Sequence, residues 1–484
     1  MYLILPVLLP AVFGLVLAIV KLPDTRRQTV YTFVASLISG AVIWYVICTD
    51  TGGAVTLIKA SDTVAIRLKF DGLGKIFAGL IATLWPLTTL YAIEYMKRDE
   101  NVRTFCVFFL LSMAATAGIA ESGDMLSMYF FYELLTLTTL PLILHGMSDA
   151  AKRAGISYVC YSLGGAALAF IAVAFSTYYG GGEFRMGGSL AGEAFGNQNL
   201  ALTVYALSAV GFGVKAAIFP LHRWLPQASV APTPVTALLH AVAVVKAGAF
   251  AVMRLTYYCF GADRLHGTWA QTALTLLAAF TILYGSTMAL KERHFKRRLA
   301  YSTCANLSYI LFGAFQMSAA GLAGGVVHLL YHSMFKICGF FAVGAVMHNT
   351  GREYVDELDG LGRKMPVTFA CFTVSGLALL GTPLFNGFAS KWHLAVAAME
   401  TGTAASFFGF AALLYSALLG SIYMLTVSVR AFLPAKDAPV TQNDGIKEVN
   451  LLMTFPMVLL AVSCLITGMC DGAVMGAIRA VLGV

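Results

Sequence analysis

Residues 205–254 read YALSAVGFGVKAAIFPLHRWLPQASVAPTPVTALLHAVAVVKAGAFAVMR. The pattern is two apolar helices joined by a Pro-rich turn. Each carries a lysine where hydrocarbon is expected, Lys215 in the first and Lys246 in the second. Pro220 follows Lys215 by five residues, and a proline inside a helix removes a backbone hydrogen bond and breaks or kinks it. Charge beside broken backbone in a membrane points to an ion path.

The rest of the composition supports a membrane setting. Of 484 residues, 59% are hydrophobic and 12% charged, about half the charge of a soluble domain. Mean hydropathy is +0.78. Long apolar runs, not short alternating ones, exclude a β-barrel and predict an all-α integral membrane protein. At about 20 apolar residues per crossing the chain holds about 14 transmembrane helices. The expected spans are 2–20, 29–49, 72–96, 103–121, 124–145, 156–179, 200–220, 232–258, 270–290, 299–317, 321–347, 366–397, 404–430 and 450–470. The first is apolar with no basic residue before it, so it reads as a membrane helix and not a cleaved leader.

The net charge is +8, but its distribution fits orientation, not nucleic-acid binding. Twenty of the 32 Lys and Arg fall in one alternate set of connections, with Lys21, Arg98, Arg297 and Lys436 among them. Eight fall in the other set, including Lys59, Arg254 and Arg264. The positive-inside rule puts the richer set in the cytoplasm and both termini outside. The nine cysteines have no CxxC spacing and read as small core residues, so no iron–sulfur cluster is expected.

Four lysines remain inside spans: Lys215, Lys246, Lys336 and Lys391. Among acids Glu133 is central to a span, in SMYFFYELLTLTTLPLILH (127–145), whereas Glu94 and Glu121 sit near helix ends and are expected to face water. Each central ionisable residue costs about 2.5–3.5 kcal/mol on insertion. Five together cost on the order of 10 kcal/mol before pairing. The alternatives to function are structural salt bridges and snorkelling. Burial brings a lysine and a glutamate toward neutrality from opposite sides, so a Glu133–Lys215 pair could load and release a proton.

In GGVVHLLYHSMFKICGFF (324–341), His328, His332 and Lys336 recur every four residues and form one stripe. Histidine titrates near physiological pH and suits a proton relay. Hydrogen-bonded core residues and a metal pair are the alternatives, the latter without an HExxH acid. His240 in TALLHAVAVVKAG is a lone histidine whose case rests on its surroundings. In LALLGTPLFNGFASKW (377–392), Gly381, Thr382 and Pro383 interrupt a helix ahead of Lys391. Two broken helices, each with a lysine, suggest an internal duplication. No nucleophile–base motif or phosphate loop is present.

The run GVKAAIFPLHRWLPQASVAPTPVTALLHAVAVVKAG (213–248) resembles the signature of the antiporter-like subunits of respiratory complex I, Mrp cation/proton antiporters and membrane-bound hydrogenases. FDGLGKIFAGL (70–80), YELLTLTTLPLI (132–143), KRRLAYSTCANLSYI (296–310), HLLYHSMFKICGFFAVGAV (328–346) and GTPLFNGFASKW (381–392) match in order. The resemblance implies fourteen helices, with spans 4–8 and 9–13 as inverted five-helix repeats and spans 7 and 12 broken near Pro220 and near Gly381 and Pro383. It implies one polytopic unit: 1–102 with three helices, repeats at 103–258 and 259–430, and 431–484 with the last helix. It also implies proton translocation along Glu133, Lys215, His240, Lys246, His328, His332, Lys336 and Lys391. Tyr132 stands where the family has tryptophan. HAVAVVKAG, with Lys246, looks closest to the D-type component of the Mrp antiporters. No long amphipathic helix is expected beyond the last span, unlike the distal antiporter-like component of complex I.

The expectation is a proton-translocating subunit of a larger complex in a prokaryotic cell membrane. Its partners are other membrane subunits, lipid, H+ and, in an exchanging complex, Na+, with no nucleic acid. No cofactor and no metal are expected in this chain. A stand-alone transporter and a structural subunit with an inactive channel are the rival readings.

Overall fold

The computed structural model describes residues 2–59, 61, 64–180, 182–434 and 445–484. Lys436 lies outside the described residues. The N-terminal helices are α1 (Leu5–Ile19), α2 (Thr25–Thr49), α3 (Gly72–Tyr95), α4 (Val102–Ala120), α5 (Met125–Ile143) and α6 (Asp149–Tyr178). Next come α7 (Gln198–Gly213), α8 (Trp224–Ala228), α9 (Thr233–Ala241), α10 (Val244–Met253), α11 (Ala262–Leu265) and α12 (Trp269–Lys291). The chain continues through α13 (Phe295–Ala314), α14 (Ala319–Thr350), α15 (Pro366–Leu380), α16 (Asn386–Thr401), α17 (Ala404–Phe432), α18 (Leu451–Met469) and α19 (Asp471–Leu482). Every expected span falls on one of these helices or on a consecutive pair. By length and composition alone, 11 helices of the described residues can cross a membrane.

Helix starts follow the polar residues at the ends of the apolar runs. The side chains of Asp71, Asp124, Ser148, Thr268, Ser318 and Thr403 each accept a hydrogen bond from the N–H three residues on. These caps satisfy donors that the first turn leaves open. Burial then sorts the helices. The 233–260 crossing is wholly buried and α14 nearly so, whereas α1 and α18 keep most of their surface outward. Leu137, Ile156, Leu414 and Leu418 on the outer helices are exposed, as lipid-facing residues are. Cys48, Cys160 and Cys470 are exposed as well, while the other six cysteines are buried. A thiol is as compatible with an apolar exterior as with a core, so apolar context alone does not place it inside.

One element departs from the all-α expectation. A hairpin of β1 (Ala54–Lys59) and β2 (Ala65–Lys69) pairs antiparallel over the junction of α4 and α5. Lys69 donates its N–H to the Glu121 carbonyl at 2.6 Å, and Gly123 to that of Arg67 at 2.9 Å. The expected breaks are present. After α7 the chain turns through 215–223, with Ala217 at φ 55° and a cis bond at Phe219–Pro220. Between α15 and α16, Gly381 takes φ 89° and Leu384 φ 77°. A third break was not expected. Span 8 is interrupted at Val242 and Ala243, between His240 and Lys246. There the N–H groups of both residues point to Leu238 O at 2.9 Å. Ser333 of α14 donates to the freed Ala241 carbonyl at 2.6 Å.

Gly248 sets how closely α10 meets the α7 break. A Cβ there would lie 2.5 Å from Ala216 N and 2.9 Å from Lys215 C. Gly248→Ala therefore forces backbone apart, at about 1–3 kcal/mol. It should lower the midpoint of thermal unfolding in detergent by several degrees. Gly164→Ala, where a Cβ meets nothing within 4 Å, should leave the midpoint unchanged or raise it.

Candidate functional site

The site is built at the three breaks and on α5 and α14. Lys215 sits in the turn after α7, 1% exposed. Its ammonium donates to the Tyr132 carbonyl, lies 3.4 Å from the Tyr132 ring centroid and is 3.7 Å from Glu133 Oε1. That last distance is an ion contact too long for a hydrogen bond. Tyr132 is itself held by donation to Phe212 O at 3.1 Å. The phenol thus ties α5 to the last turn of α7 and fixes the neighbour of Glu133. A tryptophan N–H in its place would reach differently, so the Tyr132 departure is a working part of the local geometry.

Lys246 follows the break in span 8 and is fully buried. Its Nζ is 2.7 Å from His332 Nδ1. His328, one turn before His332, places Nδ1 2.9 Å from the Ser390 hydroxyl of α16. The two imidazoles are 5.9 Å apart by centroid. Lys336 at the end of the stripe turns to α13, donating to Leu299 O at 3.0 Å and to the Ser302 hydroxyl. The His240 ring lies tilted against Phe340 at 4.9 Å between centroids, and neither of its ring nitrogens has a protein hydrogen-bond partner. The same holds for Nε2 of His328 and of His332. Buried polar atoms left without partners are costly, and these are the ones able to take up or pass on a proton.

Lys391 points back across the break in span 12. It donates to Leu379 O at 2.7 Å and Leu380 O at 3.0 Å. Those are the last carbonyls of α15, the negative end of its dipole, so a cation there is stabilised without a carboxylate. Among the described residues no acid pairs with Lys391. Glu133–Lys215, Lys246–His332 and His328–Ser390 are thus direct contacts, while Lys336, Lys391 and His240 are near them in the fold without touching another member. No group of three or more His, Cys, Asp or Glu among the described residues is placed to hold a metal.

Four charges assigned to loops or water lie inside instead. Glu121 is fully buried at the end of α4, and both its carboxylate oxygens lack a hydrogen-bond partner. The hairpin, absent from the sequence reading, covers it. Arg254 is also fully buried. It pairs with Asp71 at 2.5 Å and lies 4.7 Å from the Phe184 ring and 4.9 Å from the Phe250 ring. The expected span 232–258 already enclosed it, and that was the available signal. Lys296 and Arg298 tuck inward to the carbonyls of Ala231 at 2.5 Å and Tyr423 at 3.0 Å. Glu94 stays near the surface beside Lys97 at 3.4 Å.

Residues 122–420 match the family described as NADH:quinone oxidoreductase/Mrp antiporter, TM. The chain belongs to this family. It is 29% identical over 480 residues to NADH-quinone oxidoreductase subunit N of Desulforudis audaxviator, covering 93% of this chain and 91% of that one. It is 30% identical over 416 residues to the A/B component of a probable K(+)/H(+) antiporter of Rhizobium meliloti, covering 84% of this chain but only 40% of the relative. A chain of the Mrp complex from Dietzia sp. DQ12-45-1b superposes with a TM-score of 0.84 at 21% identity, over 99% of this chain and 96% of that one. That likeness is one of fold. The chain is a multi-pass integral membrane protein.

The Asp71–Arg254 pair tests the geometry outside the axis. Asp71→Asn leaves the buried guanidinium without its counter-charge, a loss of about 3–5 kcal/mol. It should reduce the amount of folded protein recovered from membranes and lower its melting midpoint. Phe184→Leu, which removes only a ring contact, should have a much smaller effect in the same assay.

Proposed function

We propose that this chain is the proton-translocating subunit of a multi-subunit membrane complex. The observation that carries the reading is the contact of Lys246 with His332 at 2.7 Å. It links the lysines of the first half of the chain to the histidine stripe of the second through side chains that all titrate. A merely structural contact between two helices needs no basic groups in hydrocarbon, where each is costly.

A proton accepted at the Glu133–Lys215 pair changes the charge beside Lys215. The ammonium then leaves or returns to the carboxylate, which alters the field at Lys246. His332 and His328 offer free Nε2 atoms to carry the proton on, and Lys391 ends the series over the α15 carbonyls. The break in span 12 matters because Lys391 there reaches the Leu379 and Leu380 carbonyls. Partners of such a subunit are neighbouring membrane subunits, and electron transfer, where the complex performs it, resides in them. The relatives' names connect them to quinone reduction and to K(+)/H(+) antiport, so the setting is a redox-driven pump or an Mrp-type antiporter that exchanges a cation for H+. The relatives' organisms support a prokaryotic cell membrane, and the distribution of basic residues over the connections supports both termini outside.

Whole complex in inverted vesicles tests the reading. Glu133→Gln and Lys215→Ala should each lower proton translocation by about tenfold or more, while the complex still assembles. Transport at the parent rate in both variants would overturn the assignment.

A further inference from the structure

A second carboxylate lies inside the membrane, outside the axis. Asp471 opens α19, immediately after α18 ends at Met469. Gly468 packs on the backbone of Leu384, Phe385 and Asn386, so the α18–α19 junction is level with the break in span 12. At the far end of α19, the Val481 carbonyl packs on Gly72, the first residue of α3. The helix has 12 residues, about 18 Å at 1.5 Å per residue. Asp471 is therefore at the depth of the break, and α19 carries the chain from there to the face where α3 begins. The expected span 450–470 stopped one residue short of it.

Two other elements converge on this carboxylate. Tyr331 of α14 donates its hydroxyl to Oδ1 at 3.0 Å, and also reaches Thr467 O at 3.3 Å. His393 of α16 places Nε2 2.7 Å from Oδ2. Tyr331 precedes His332 by one residue and follows His328 by three. His393 follows Ser390, the partner of His328, by three residues, a separation that makes neighbours on a helix surface. The group held against the imidazole is Asp471 on α19, with Tyr331 of α14 on the same carboxylate and Cys470 next to it in the chain, whereas Lys391, two residues back on the same helix, turns to the α15 carbonyls. Exposure rises along this set. Tyr331, His328 and His332 are buried, whereas the side chains of Asp471 and His393 are 17% and 23% exposed.

A tie between α16 and α19 accounts for a hydrogen bond but not for its chemistry. A carboxylate at this depth costs about 2.5–3.5 kcal/mol, and apolar contacts would hold α19 without that cost. The partner chosen is the one side chain whose ordinary titration lies near neutrality. We propose that His393, held by Asp471, releases protons from the second half of the axis toward the face where α3 begins. A proton leaving His328 passes to the imidazole of His393 and from there to water. Asp471 accepts the Nε2–H throughout, and Tyr331 fixes the carboxylate. His393 carries the proton, and Asp471 and Tyr331 are positioning residues. The inference rests on the translocation reading above.

The complete complex, reconstituted in liposomes, tests it beside Glu133→Gln. If Glu133→Gln and Lys215→Ala transport like the parent, the translocation reading falls and this inference with it. With those variants inactive, His393→Gln separates relay from tie, because its amide donates to Asp471 but carries no proton. It should slow translocation by about tenfold or more, with assembly and melting midpoint unchanged. A rate within about twofold of the parent, far less than a lost proton carrier gives, overturns the inference. Asp471→Asn, which takes away the carboxylate that holds the imidazole, should also slow translocation, and Asp471→Glu, which keeps a carboxylate, should restore most of the rate. Translocation at the parent rate in an assembled Asp471→Asn complex overturns it as well.

Discussion

An ammonium group in hydrocarbon must have company, and the Lys215 site shows the form that company takes here. The lysine stands in a broken helix, against the carbonyl and ring of Tyr132 and beside the Glu133 carboxylate. The break, the aromatic and the acid serve one requirement, to keep a titratable cation soluble in the membrane without locking it. A tighter salt bridge would trap the charge, and an unpaired lysine would not insert. Gly248 belongs to the same requirement, because its lack of a side chain lets α10 press on the backbone that holds Lys215.

The same logic recurs with different partners. Lys391 is held by helix-end carbonyls, Lys336 by a hydroxyl and a carbonyl, and Lys246 by an imidazole. At the break in span 12 the freed backbone is itself the ligand for the cation, Lys391. Span 8 differs. Its break at Val242 and Ala243 lies between His240 and Lys246, and Ser333 from the histidine helix satisfies the freed Ala241 carbonyl. The buried Asp71–Arg254 pair has another character. It is a close ion pair among aromatic rings, and it joins α3 to span 8.

Much of this was legible in residue order. Apolar runs of bilayer length marked the spans, and Pro220 and Gly381 marked two breaks because each imposes a backbone constraint that a helix cannot meet. The third break escaped because Val242 and Ala243 are ordinary helix residues, and only the contact from Ser333 makes their departure tolerable. Glu121 and Arg254 were misplaced for a related reason. Distance from a span's centre says how deep a side chain lies, not whether another element covers it. The hairpin over α4 and the rings around Arg254 come from elsewhere in the chain.

The sequence by itself determined that this is a helical membrane protein with ionisable groups in its interior, because hydrocarbon tolerates few backbone arrangements and few charges, and both leave marks in the order of residues. It also determined the spacing of the histidine stripe, which a helix converts directly into one face. Only the tertiary structure decided which of those groups meet. Lys246 is 86 residues from His332, Lys215 is 82 from Glu133, and Asp471 is 78 from His393. Such pairings depend on how separate helices pack, and side-chain packing in a bilayer is set by small residues and local breaks whose combined effect no single stretch contains.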